Sequence, residues 1–122
     1  LMPYQNVSTY FDRSEFACKC GCGFDTIDTS TLVILNLIRK KFGPVMINSG
    51  CRCPEHNKAI GGSPNSQHMR GRAADIRVRG APLQEVADWL KREAPEVSMG
   101  IYNTFIHIDT RSYGPARWDM RN

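Results

Sequence analysis

The sequence predicts an α+β domain in which a small, mostly antiparallel sheet packs against two helices. Two segments repeat apolar residues with the period of a helix, and short stretches between and after them alternate with the period of a strand. The last such stretches are joined by a few turn residues, as in a hairpin. With 122 residues the chain holds a single core, and residues 1–122 are read as one domain.

The elements follow in order. "FDRSEFAC" has Asp12 followed three positions later by Glu15, a capping-box spacing that predicts one helical turn anchored by Phe11 and Phe16. Thr29, Ser30 and Thr31 then lead into Leu32, Ile34, Leu35, Leu37 and Ile38, a helical pattern closed by Gly43-Pro44. Val45 to Ser49 reads as a strand. A polar stretch rich in Gly, Pro, Ser and Asn runs from Gly50 to about Gly71, a length that points to function rather than mere connection. "RAADIRV" alternates as a strand. Pro82 opens a second helix with Leu83, Val86, Ala87 and Leu90 on one face, ending before Pro95. "VSMGIYNTFIHIDTR" closes the pattern as a hairpin turning near Tyr102, Asn103 and Thr104, with a strand from Phe105 to Thr110.

Composition excludes several classes. Apolar residues make up 41% and charged residues 23%, and no apolar run reaches bilayer length, so membrane insertion is not expected. The net charge of +4 would suit an anionic partner, but Arg39, Lys40, Lys41, Arg70, Arg72, Arg77 and Arg79 are scattered and lack an aromatic platform. No nucleic-acid partner is expected, and the chain reads as a monomer. The opening LMPYQNVSTYF has neither the basic nor the apolar region of a secretory signal. If Met2 is the native start, export needs another route, such as a holin or lysis by a phage; if it is not, the expectation is that a signal has been trimmed away.

The five cysteines, Cys18, Cys20 and Cys22 in "CKCGCG" and Cys51 and Cys53 in "CRC", are odd in number, which argues against a fully paired disulfide framework. Free thiols, or one disulfide joining the two groups, are the plain reading. A structural metal clip is the other, although C-x-C is not the usual zinc spacing.

Strand alternation decides which polar residues meet. Ala74, Ile76 and Val78 must face the helices, so Asp75 points to the open face. The same division in the last strand buries Ile106 and Ile108 and puts Phe105, His107 and Asp109 on the other side. If these strands are neighbours, Asp75, His107 and Asp109 share that face. His68, at the end of the long loop, can fold over it, with Gly71 supplying the turn and Ala73 leaving room. Two imidazoles and a carboxylate converging on an open face make a three-ligand zinc site with a free fourth position. Spacing alone leaves the alternative of a solvated histidine beside a strand.

Ser66, His68, Gly71, Ala73 and Asp75 match S-x-H-x-x-G-x-A-x-D, which resembles the signature of zinc peptidases related to D-alanyl-D-alanine carboxypeptidase. That superfamily includes D-alanyl-D-alanine dipeptidases, phage L-alanyl-D-glutamate endolysins and the hedgehog fold. "INSGCRCPEHN" is similar to the family's S-G-x-R segment, and "FIHIDTR" with the later "ARW" is similar to the end of its murein-endopeptidase and phage-associated branch. The resemblance spans about Phe16 to Trp118. It implies one catalytic Zn2+ on His68, Asp75 and His107, and a metallopeptidase of the carboxypeptidase or endopeptidase type. The implied substrate is a peptidoglycan peptide next to a D-centre, in the periplasm or delivered by a phage. The basic charge also suits a weakly anionic cell wall.

The resemblance further implies that Arg52 holds a substrate carboxylate or a developing oxyanion, for which its fork of donors is suited. Many relatives carry a base two or three residues before the last ligand, where this chain has Phe105 and Thr104. Asp109 is therefore the candidate base, its other role being to orient a ligand histidine or pair with Arg111. Glu55 is a second candidate. His56 is read as a loop or substrate contact, Ser66 and Gln67 as residues that fix the approach of His68 and line the substrate site, and Arg117 and Trp118 as packing for the C-terminus. The alternative function is a non-catalytic, zinc-stabilised cell-wall-binding or phage structural module.

Overall fold

A computed structural model of the protein describes residues 8–122. The reading of Met2 as a start falls outside them.

The first helix, α1, spans Thr29–Phe42 and buries Thr31, Ile34, Leu35 and Ile38, the i, i+3, i+4, i+7 stripe of an amphipathic helix. Leu37 lies outside that stripe and is 44% exposed, so the predicted apolar face is narrower than the sequence suggested. Arg39, Lys40 and Lys41 occupy the last turn, where positive charge complements the helix dipole. Gly43, with φ of 91°, ends it by donating its N–H to the Arg39 carbonyl.

Strand β1 (Val45–Ser49) pairs antiparallel with β2 (Ala73–Val78) and carries an irregularity between Ile47 and Ser49. The stretch between them is not structureless. Pro54–Ala59 forms a short helix, α2, with proline in its first turn and Cys53 as N-cap, and Gln67–Arg70 forms a 3-10 turn capped by Ser66. Both rest on caps rather than on apolar periodicity, which is why the pattern did not show them.

Helix α3 (Leu83–Glu93) buries Val86, Ala87 and Leu90, and its Trp89 meets Phe42 of α1 edge to face at 5.5 Å. β3 (Ser98–Ile101) and β4 (Ile106–Asp109) form the expected hairpin, whose turn is closed by Tyr102 N–H donating to Phe105 O at 2.9 Å. A final strand, β5 (Arg117–Asp119), runs parallel to β3. At three residues it is too short to alternate visibly, and the Arg117 guanidinium fixes it by donating to the Val97 and Pro95 carbonyls.

The sheet order is β1-β2-β4-β3-β5, antiparallel except at the β3/β5 edge. One face carries Ala74, Ile76, Val78, Met99, Ile106 and Ile108 into a core shared with α1, α3 and the N-terminal aromatics Phe11 and Phe16. The other face carries Asp75, His107 and Asp109, with Trp118 beside them. The predicted α+β class therefore holds, with three α-helices rather than two. No helix among the described residues is long and apolar enough to cross a membrane.

Leu35 is fully buried while Val33, on the same helix, is half exposed. Leu35→Ala is expected to cost about 2–5 kcal/mol and Val33→Ala less than about 0.5 kcal/mol, read as shifts of the denaturant midpoint at constant slope.

Candidate metal centre

The register of the central strands brings the site together. Asp75 of β2 lies directly opposite His107 of β4, so both side chains leave the same face. Gly71, at φ of 68°, turns the chain out of the 3-10 segment and into β2, and a side chain there would meet the Thr26 carbonyl at 2.8 Å. His68, just before this turn, is thereby laid over the strand pair.

His68 Nε2 lies 3.2 Å and His107 Nδ1 2.8 Å from Asp75 Oδ1, and the three possible ligand atoms all fall within 4.8 Å of one another. Ligands at about 2.0–2.1 Å in a tetrahedral zinc site stand about 3.3 Å apart, close to these separations. The outer nitrogens fix which lone pairs are offered. His68 Nδ1–H donates to the Gly50 carbonyl at 2.5 Å, and His107 Nε2–H donates to Asp109 Oδ2 at 2.7 Å. His68 Nε2 and His107 Nδ1 are therefore both left to point lone pairs at a carboxylate oxygen. Three acceptors converging without a donor require a cation, and a metal ion or added protons satisfy that need.

The charge balance agrees. Burial alone would push the Asp75 carboxyl up, but hydrogen bonds from His107 and His68 outweigh it and hold the group well below the usual carboxylate range. Burial also opposes charging His107, yet the flanking carboxylates Asp109 and Asp75 raise it above an ordinary imidazole. The pocket is built to hold positive charge.

The family model of Peptidase M15 matches residues 9–109, a span that contains all three converging ligands. The chain belongs to the peptidase M15 family. No curated protein matches it. M15 peptidases are zinc-dependent metallopeptidases, and the chemistry of this donor set fits that ion: two imidazoles and one carboxylate, a group that includes no fourth His, Cys, Asp or Glu among the described residues.

The expected site residues fall into three groups. Arg52, Ser66 and Gln67 line a cleft of about 560 Å³ that opens onto the M15 triad. Arg52 Nη2 stands 3.6 Å from Asp75 Oδ2 and Nη1 donates to Asn57 Oδ1, while the buried Nε has no partner. Burial pushes its guanidinium down against the opposing pull of Asp75. Ser66 Oγ accepts from His68 N–H. Gln67 lies beside His68, with Nε2 donating to the Tyr113 hydroxyl at 3.5 Å.

His56 and Glu55 form the second group; both sit on α2 and neither lines the cleft. Asp109 forms the third. It is fully buried between Ala73 and Ser98 on the neighbouring strands, and it does not line the cleft. Its Oδ1 accepts from Arg111 N–H and Nε–H, and its Oδ2 from His107 and Arg111 Nη2–H. Burial would raise this carboxyl, but the Arg111 and His107 hydrogen bonds hold it well below the usual range. Asp109 thus stands behind a ligand histidine, with both oxygens engaged and no surface open to a water in the cleft.

Trp118, expected to pack the C-terminus, instead walls the cleft. Its ring lies 5.3 Å from that of His107 and its Nε1–H donates to the Tyr102 hydroxyl at 3.0 Å. Gly100, opposite His107, makes room for it, since a Cβ there would come within 2.2 Å of the indole. Only the unforeseen strand β5 brings Trp118 there. Tyr102, Phe105, Arg111 and Tyr113 complete the wall.

Removing the partner of a ligand histidine typically weakens metal binding about 10- to 100-fold. Asp109→Asn is expected to lose zinc affinity in that range in chelator competition, with His56→Ala unchanged; equal affinities for the Asp109→Asn and unmutated proteins would contradict the orienting geometry.

Proposed function

We propose that this M15 chain hydrolyses a peptide bond next to a D-configured centre in bacterial peptidoglycan, with zinc held by His68, Asp75 and His107. The observation that carries the reading is the convergence of these ligands at the floor of an open cleft with Arg52 beside them. When bound, zinc supplies a Lewis acid for the scissile carbonyl and makes a coordinated water more acidic.

The chain's own residues supply position and charge. Asp109 acts as a positioning residue, keeping the His107 proton on Nε2 so that Nδ1 faces the metal. Arg111 neutralises Asp109 with a bidentate pair, which keeps that carboxylate ionised in a buried setting. Arg52 is the group for a substrate carboxylate or the developing oxyanion: its Nε lacks a partner and its guanidinium borders the ligand Asp75. Trp118, Tyr102 and Phe105 form an aromatic wall for the apolar parts of a stem peptide. The cleft is open at the protein surface, as a polymeric substrate requires. Such a substrate also places the protein's work at the cell wall, in the periplasm or after delivery by a phage. A monomer suffices, because one chain contributes every residue named.

A second reading has its own observation. Asp75 is the only carboxylate among the described residues that line the cleft, so no second acidic group faces the position of an attacking water. That favours a zinc-stabilised module that binds cell-wall peptide, or a phage structural part, without cleaving it.

Purified protein incubated with peptidoglycan, followed by separation of the released muropeptides, decides between them. Cleavage that disappears in His68→Ala and after chelation supports hydrolysis; intact peptide with bound zinc and retained peptidoglycan binding supports the second reading. For an enzyme, Arg52→Ala is expected to lower kcat/KM by at least about 10-fold, corresponding to about 1.4 kcal/mol, with zinc content unchanged.

A further inference from the structure

Away from the cleft, Cys18, Cys20, Cys22 and Cys53 gather in one cluster whose sulfurs all lie within 4.8 Å of one another. We propose that these four thiolates bind a second, structural zinc ion that clips the N-terminal segment to the loop carrying Arg52.

The spacing of the sulfurs is the first support. Cys18 Sγ and Cys20 Sγ are 3.5 Å apart, and Cys20 Sγ and Cys53 Sγ 3.6 Å. No disulfide joins any of the five cysteines in this structure. Thiolates at about 2.3 Å from a tetrahedral zinc stand about 3.8 Å apart, so the ion would enter with small adjustments.

The backbone is the second support. In an extended chain, alternate residues are about 6.6 Å apart, which would spread Cys18, Cys20 and Cys22 along a line. Instead the segment curls. Gly21 and Gly23 adopt φ of 81° and 92°, and Gly21 N–H donates to the Cys18 carbonyl while Cys18 N–H donates to Phe24 O. Two left-handed glycines in "CGCG" bend the chain so that three sulfurs face a fourth far away in sequence.

Donors to sulfur are the third support. Cys53 N–H points at Cys18 Sγ and His56 N–H at Cys53 Sγ, both at 3.4 Å. Amide donors of this kind stabilise ligating thiolates. The remaining cysteine is accounted for separately: Cys51 is buried, its Sγ near the Phe16 and Phe24 carbonyls at 3.1 and 2.9 Å, and it stands outside the cluster. The odd count thus divides into four ligands and one buried thiol. Four soft thiolates in a closed tetrahedron leave no open position, so the ion is structural, and each thiol gives up its proton as it binds. Cys53 follows Arg52 directly and caps α2, so the clip fixes the loop from which Arg52 enters the cleft.

The full-length chain, prepared under reducing conditions, provides the test. Metal analysis is expected to find about two zinc ions per chain and about one in His68→Ala. Cobalt loaded into His68→Ala is expected to give the intense visible and thiolate-to-metal charge-transfer bands of tetrahedral cobalt–thiolate. Cys20→Ser with Cys22→Ser removes those bands and Cys51→Ala keeps them. Should the double serine variant not fold, mercurial titration of the His68→Ala protein serves instead, with zinc released as the cluster thiols are blocked. A His68→Ala protein without metal, whose thiols react with a disulfide reagent equally fast with and without zinc, overturns the proposal. Loss of peptidoglycan cleavage alone leaves this metal count untouched, so the two ideas fail separately.

Discussion

The antiparallel pairing of β2 with β4 is the constraint on which the rest depends. It sets Asp75 opposite His107 and, two residues along, Ala73 opposite Asp109. Because side chains alternate, the same register that sends Ile76, Ile106 and Ile108 into the core sends the ligands to the open face. Core packing and metal geometry are therefore one specification. A slip by one residue would bury the carboxylate and expose the isoleucines, a change the hydrophobic term strongly opposes.

Around that pair the structure adds supports in layers. Gly50 O and Asp109 each take the outer proton of one imidazole, and Arg111 in turn holds Asp109. Small residues at 73, 98 and 100 leave room for a buried carboxylate and an indole beside the histidine. The M15 assignment gives this arrangement its chemistry, and the arrangement explains how a few polar residues stay organised on a face with little apolar packing.

Much of this was legible in the sequence, for a physical reason. Alternation in "RAADIRV" and "FIHID" reports which side chains share a face, and a helix with an i, i+3, i+4, i+7 stripe reports its buried side, so the class and the shared face of Asp75 and His107 were legible, whereas His68, in a loop, was reached only through the motif resemblance. Short elements were not legible. Helix α2 and the 3-10 turn rest on caps, and the three-residue β5 on Arg117 hydrogen bonds to the Val97 and Pro95 carbonyls, none of which leaves a periodic trace. For that reason Trp118 looked like terminal packing, and Asp109 looked available when its neighbours enclose it. Leu37 shows the opposite error, an apolar residue in a helical run that faces outward because the stripe is narrow.

Gly50 links regions that seem unrelated. Its carbonyl takes the His68 proton, while its α-carbon lies so close to the Phe16 backbone that a Cβ would come within 2.5 Å. The triad is thereby tied to parts of the chain far apart in sequence: the Phe16 backbone, the turn after β1 and, through His107, a strand from the final third. A metal ion held by the triad would therefore favour, by mass action, the state in which these distant segments are all in place.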